Sequence, residues 1–152
     1  GQFDYQTVLM LVSIFLVIGG LEQVGVIDDL SGIIASFGKS NLFLLYTVIV
    51  WGSVVISAFI DNIPYVATML PVIRAVSMSL GIEPYLLYFG LLTGATLGGN
   101  LTPVGASANI AATGILKKEG YEVSFQSFMK IGVPFTLTAV TVGYLFLWLV
   151  WK

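Results

Sequence analysis

Residues 84–116 read PYLLYFGLLTGATLGGNLTPVGASANIAATGIL, an apolar run broken in its middle by Gly98-Gly99-Asn100-Leu101-Thr102-Pro103. As one straight helix these 33 residues would extend roughly 50 Å, well beyond the ~30 Å hydrocarbon core of a bilayer. Two half-helices, Tyr85 to Leu97 and about Val104 to Leu116, suit the pattern better. Thr102 can cap the second half and Pro103 can occupy its first turn. The competing reading is one kinked helix whose small residues pack against a neighbour. A discontinuous helix survives at membrane depth only where its freed N–H and C=O groups are buried in protein or line a wet cavity. Asn100, Ser107 and Asn109 add neutral oxygen ligands suited to a hard cation such as sodium. The glycines follow no strand and precede no Gly-Lys-Ser/Thr, so they are not a nucleotide loop.

The composition places this break in a membrane. Hydrophobic residues make up 57% of the chain and charged residues 9%, against about 25% charged in an average soluble domain. Mean hydropathy is +0.98. A water-soluble enzyme, a nucleic-acid binder and a disordered tail are excluded. Six basic residues against eight acidic ones leave no patch for phosphates. Cys and His are absent, which removes disulfides, Cys/His metal sites and Ser–His or Cys–His nucleophiles. Proton chemistry falls to carboxylates, and no enzyme activity is expected. The opening Gly1-Gln2-Phe3-Asp4 has no initiator Met and no basic n-region, so it is expected to be the start of a piece of something longer, not a signal peptide.

Outward from the break, residues 5–23 predict a first transmembrane helix. In 26–37, Val26, Ile27, Leu30, Ile33, Ile34 and Phe37 form one stripe, which predicts an interfacial amphipathic helix stopped by Gly38. Ser40-Asn41 can cap the next helix. The apolar run from Leu42 ends abruptly at Asp61-Asn62-Ile63-Pro64. A water-exposed turn is one reading, since these are common turn residues. Against it, the apolar arm from Pro64 to Ile73 before Arg74 is only ten residues, roughly 15 Å of helix and half the bilayer core. Residues 42–80 therefore predict a re-entrant helical hairpin with Asp61 near its tip. Gly81 ends it and Pro84 suits the first turn of the next helix. After the polar Lys117-Lys118-Glu119-Gly120, residues 121–131 predict a second interfacial helix, with Phe125, Phe128 and Met129 on one face. Residues 132–151 predict the last span, closed by Trp148, Trp151 and Lys152. The fold class is an all-α membrane protein in a single membrane domain, 1–152. It has three crossings (one broken), one re-entrant hairpin and two interfacial helices.

A carboxylate within the membrane is a functional candidate by default. Desolvation favours the neutral acid and a bound cation favours the carboxylate, which is the physical basis of ion–proton exchange at one site. Paired broken segments meeting at the midplane are the usual build of a secondary-transporter site. The candidate substrate- and ion-binding residues are Asp61, Asn62, Gly99, Asn100, Thr102, Ser107 and Asn109. Of these, Asp61, Asn62, Asn100, Ser107 and Asn109 are the candidate sodium ligands. Glu22 and Gln23 sit where a helix leaves the membrane, and Arg74 is expected to snorkel to the interface. Tyr85, Tyr88 and the Trp residues read as belt or packing residues.

Asp61-Asn62-Ile63-Pro64 with Ala67-Thr68-Met69, then Gly98-Gly99-Asn100 and Gly105-Ala106-Ser107-Ala108-Asn109, resemble the ion transporter superfamily. The resemblance is nearest to its arsenite permease and sodium–proton antiporter group, which also holds the melanosomal pink-eyed dilution protein. It covers essentially the whole chain and follows the C-terminal half of those proteins. It implies two inverted repeats, each with a re-entrant hairpin and a broken helix, and commonly a homodimer. It places the Asp61–Asn62 tip and the Asn100 to Asn109 break at the ion or substrate site. Related dicarboxylate carriers have a Ser-Asn-Thr tip where this chain has Asp61-Asn62-Ile63, which disfavours a dicarboxylate. Only one repeat is present, so half of a family-like site must come from elsewhere.

The expected function is secondary active transport of a small inorganic ion, either sodium–proton exchange or an oxyanion such as arsenite. Na+ or H+ is the expected coupling ion, with no other cofactor. A passive anion channel, a sodium-coupled carboxylate permease and a structural subunit are the rivals. An intramembrane aspartyl protease would need a second carboxylate that Asp61 lacks. The expected partners are the bilayer, an N-terminal repeat or an inverted copy of the chain, and the small ion. The expected location is a bacterial or archaeal inner membrane. Lys117, Lys118 and Lys130 fall on one side, and Lys39, Arg74 and Lys152 on the other. The first three are dense in one short segment, which places that segment and the N-terminus in the cytoplasm and the C-terminus outside.

Overall fold

A computed structural model describes residues 5–38 and 41–152. Lys39, which entered the orientation argument, and Ser40, a candidate cap, lie outside the described residues. So does the Gly1–Asp4 start. The described residues form helices α1 (Tyr5–Gln23), α2 (Val26–Gly38), α3 (Leu42–Ser57), α4 (Asn62–Leu80), α5 (Tyr85–Gly98), α6 (Ser107–Lys118) and α7 (Phe125–Trp151), with no strand among them. α4 and α7 are long and apolar enough to cross a membrane, and α1 with α2 forms a third candidate span bent by 75°. Gly25, at φ 79°, makes that bend in a left-handed conformation that side chains resist.

The centre of the molecule is the contact of α3 with α5. Leu45, Tyr46, Ile49, Val50 and Val54 of α3 meet Leu87 and Leu91 of α5 in one buried cluster. What lets the backbones approach is a stripe of glycines at every fourth residue of α5: Gly90, Gly94 and Gly98. A methyl group on Gly94 would run into the Val50 carbonyl, and one on Gly98 would lie 2.6 Å from Val54 Cα. Without a hydrophobic drive between helices in lipid, such close packing is the main attraction. The small-residue reading is therefore right for Gly98, although the helix also breaks directly after it. α7 covers the other side of α5. Tyr46 stacks on Tyr144 with ring centroids 5.0 Å apart, and its hydroxyl donates to the Tyr144 carbonyl at 2.9 Å.

Four local expectations change. Residues 121–131 are not a separate interfacial helix. Ser124 caps α7 by accepting from the Ser127 N–H, and the helix runs on unbroken through Trp151. Gly132 does not stop it but serves as a contact: a Cβ there would lie 2.6 Å from the Asn100 carbonyl. Gly81 ends α4 as expected, at φ 65°, but the arm does not cover only half the bilayer: α4 has 19 residues, roughly 28 Å of helix, and is long enough to cross a membrane. Pro84 is the N-cap of α5, not a first-turn residue. The second half of the broken helix starts at Ser107, with Ala106 as N-cap, so Thr102 and Pro103 lie inside the break. Asn41 caps α3 as expected, accepting from the Phe43 N–H at 2.8 Å.

The glycine seam sets a stability test. Gly94→Ala and Gly98→Ala should each destabilise the protein by about 1–3 kcal/mol, the usual cost of overpacking. Gly52→Ala and Gly114→Ala, in helix interiors where an added Cβ meets nothing within 4 Å, should not destabilise and should add up to about 1 kcal/mol of stability. Thermal unfolding in detergent compares the four.

Candidate functional site

α3 ends at Ser57, and three residues of turn lead to Asp61. Asp61 caps α4 through Oδ1, which accepts from the Ile63 N–H at 3.2 Å. Pro64 follows in the first turn, where a missing N–H costs nothing. The other carboxylate oxygen reaches across the chain. Asp61 Oδ2 accepts from the Ser107 N–H at 3.1 Å, and the Ser107 hydroxyl donates to it as well. Ala106 has no side chain that could cap α6, so Asp61 supplies the cap from 46 residues away. One half-buried carboxylate thus serves two helix N-termini, each presenting orphan N–H groups and the positive end of a dipole.

The break is fastened to the tip by further bonds. Thr102 is fully buried; its hydroxyl donates to the Ala58 carbonyl and accepts from the Val104 N–H at 3.3 Å. Asn109 spans the break from within: Nδ2 donates to the carbonyls of Gly99, at 2.9 Å, and Thr102, at 3.0 Å. Ser57 ties the end of α3 to α5 by donating to the Ala95 carbonyl at 2.6 Å. Gly105 sits where these strands of backbone cross. A Cβ on it would lie 2.6 Å from the Gly99 carbonyl and 2.8 Å from those of Ala58 and Ser57. Hard oxygen atoms therefore crowd one spot, and only a residue without a side chain fits beside them.

The seven candidate residues separate into groups. Asp61 meets Ser107, and Asn109 meets Gly99 and Thr102, all at the junction of tip and break. Asn62 and Asn100 stand apart. Asn62 lines a cavity of about 350 Å³ with Phe15, Val66, Leu92 and Thr96. Asn100 Nδ2 faces the α5 carbonyls of Thr96 and Leu97, at 3.4 and 3.3 Å. Asn100 also lines a second cavity of about 490 Å³ with Ser127, Phe128 and Phe135. Of the five candidate sodium ligands, Asp61 and Ser107 are joined by hydrogen bonds, while Asn62 and Asn100 line different cavities. Thr102 and Asn109 spend their hydrogens on holding the break. Ser57, Gly105 and Gly132 were not read as site residues, though a serine inside an apolar run and a glycine two residues after a proline were visible signals.

Comparison with known proteins shows the family. A profile described as citrate transporter matches residues 1–152. The chain belongs to the citrate transporter family, within the ion transporter superfamily. It is 34% identical over 148 residues to an uncharacterized transporter of Mycobacterium tuberculosis, covering 96% of this chain and 34% of the relative. It is 33% identical over 163 residues to an uncharacterized transporter of Synechocystis, covering 96% of this chain and 36% of that protein. It is also 34% identical over 153 residues to the human P protein, covering 96% of this chain and 18% of that protein. The chain thus spans about a third of the length of the bacterial relatives. No solved structure matches it. The chain is an integral membrane protein of a transporter family.

The junction can be tested apart from transport. Thr102→Val removes a buried donor and leaves the Ala58 carbonyl without it, and Asn109→Ala does the same to the carbonyls of Gly99 and Thr102. Each should cost about 1–3 kcal/mol. Asn100→Ala, whose bonds are long, should cost less than either, as read by thermal unfolding in detergent.

Proposed function

We propose that the protein is a secondary active transporter of a small ion, coupled to sodium or protons, and that its site lies where the 58–61 tip meets the 99–106 break. The observation that carries this reading is the single carboxylate of Asp61 capping both α4 and α6. Asp61 is the titratable or cation-binding group. Loading it with a proton or a sodium ion weakens its hold on the Ser107 donors, so the relation of tip to break changes with the state of one group. Ser107 is the nearest neutral partner, and Thr102 and Asn109 hold the break in shape. Asn62 and Asn100 meet the ion along the two flanking cavities. In this reading the 42–80 segment is a re-entrant hairpin.

An inorganic oxyanion such as arsenite, or sodium exchanged for protons, is the first choice of cargo, because Asp61 replaces the serine that dicarboxylate carriers have at this tip. A carboxylate permease is the second, favoured by the family's description as citrate transporters. The orientation with the Lys117–Lys130 segment inside a bacterial or archaeal inner membrane belongs to the same proposal, as do the homo-oligomer and the opposing repeat. α6 has no buried residue, which suits a helix awaiting a partner.

Asp61→Asn should abolish coupled transport in proteoliposomes, because the amide carries no charge for an ion to neutralise; its single acceptor oxygen can cap only one of the two helices, so a stability loss of about 1 kcal/mol is also expected. Flux of radiolabelled sodium, arsenite and citrate against sodium and pH gradients is the measurement. Unchanged gradient dependence in the variant would refute the role of Asp61.

A second expectation concerns assembly. The 152-residue chain alone should transport at least tenfold more slowly than the same chain paired with an opposing repeat. A chain shown to be monomeric in the bilayer and fully active would contradict this.

A further inference from the structure

The two arms of the hairpin do not pack along each other; α2 and α5 each contact both arms and hold them apart. Near the tip one side chain spans the gap. Tyr65, one turn into α4, places its hydroxyl 3.0 Å from Ser53 Oγ on α3. Counting protons fixes the direction of that bond. Ser53 has one hydroxyl hydrogen and gives it to the Ile49 carbonyl at 2.6 Å, so Tyr65 must be the donor to Ser53. Ser53 is 1% exposed and sits in the glycine seam, where a Cβ on Gly94 would come within 2.9 Å of it. It is therefore among the most tightly held groups in the molecule. At the other end, the Tyr65 N–H donates to the Asp61 carbonyl at 3.4 Å. The path from the rigid α3–α5 seam to the carboxylate thus runs through one phenol and one helical turn.

We infer that Tyr65 is a positioning residue, pinning the first turn of α4 to Ser53 so that Asp61 stays aligned on the Ser107 donors. The inference rests on the transport role proposed for Asp61. It assigns Tyr65 no contact with the ion. Tyr65→Phe keeps the ring packing and leaves Ser53 its bond to Ile49, so the fold is retained while the tip loses its tether. Ser53→Ala removes the same bond from the other end.

The test uses the full transporter in proteoliposomes, with radiolabelled sodium, arsenite and citrate as probes and Asp61→Asn as reference. For a flux that Asp61→Asn abolishes, Tyr65→Phe and Ser53→Ala should each raise KM roughly two- to tenfold, the worth of one hydrogen bond. The maximum rate should stay within about twofold of the parent protein, and the double variant should be no worse than the more affected single one. An Asp61-dependent flux whose KM is unchanged in both singles, or multiplies in the double, overturns the pin and leaves the transport reading standing. If no probe flux depends on Asp61, the transport reading fails and the positioning role falls with it.

Discussion

A backbone that leaves its helix inside a membrane must find a partner for every freed N–H and C=O, because lipid offers none. The rest of this structure depends on how that need is met. The break between α5 and α6 is closed by the 58–61 turn and by Asn109 at the start of α6. Asp61 takes the first N–H of α6, Thr102 reaches the Ala58 carbonyl, and Asn109 takes the Gly99 and Thr102 carbonyls. Tip and break are therefore one unit, and neither could keep its shape alone.

That unit is held in place by packing through residues without side chains. Gly94 and Gly98 bring α5 against the α3 backbone, Gly105 brings the break against the end of α3, and Gly132 brings α7 against the break from behind. All four are close approaches of one main chain to another, where even a methyl group would collide. The tightest packing thus surrounds the one place where the helix is broken. In the proposed transport reading, the glycine seam is the stiff frame and Asp61 the group whose charge state changes.

The family assignment bears on how much of a site the chain can contain. The bacterial relatives are about three times as long as the matched segment, and α6 presents no buried residue. The cavities beside Asn62 and Asn100 open between elements that are themselves only partly covered.

Much of the architecture is legible in residue order. The apolar composition, the turn at Asp61-Asn62-Ile63-Pro64, the Gly81 stop and the interruption after Gly98 each express a local preference or a length limit, and local preferences are carried by neighbouring residues. The same is true of the division into α3, α4, α5 and α6. Other features were beyond reach because they depend on residues far apart in the chain. Ala106 in the N-cap position looks like no helix start at all, since its cap comes from Asp61; this is why Thr102 was read as the cap. Residues 125–151 form one helix that runs through Gly132, where α7 meets the Asn100 carbonyl. Asn62 and Asn100, each next to a broken backbone, look alike in one dimension, yet they line different cavities and neither joins Asp61. Chemical type is a property of a residue, whereas its partners follow from which helices the glycine seams allow to touch.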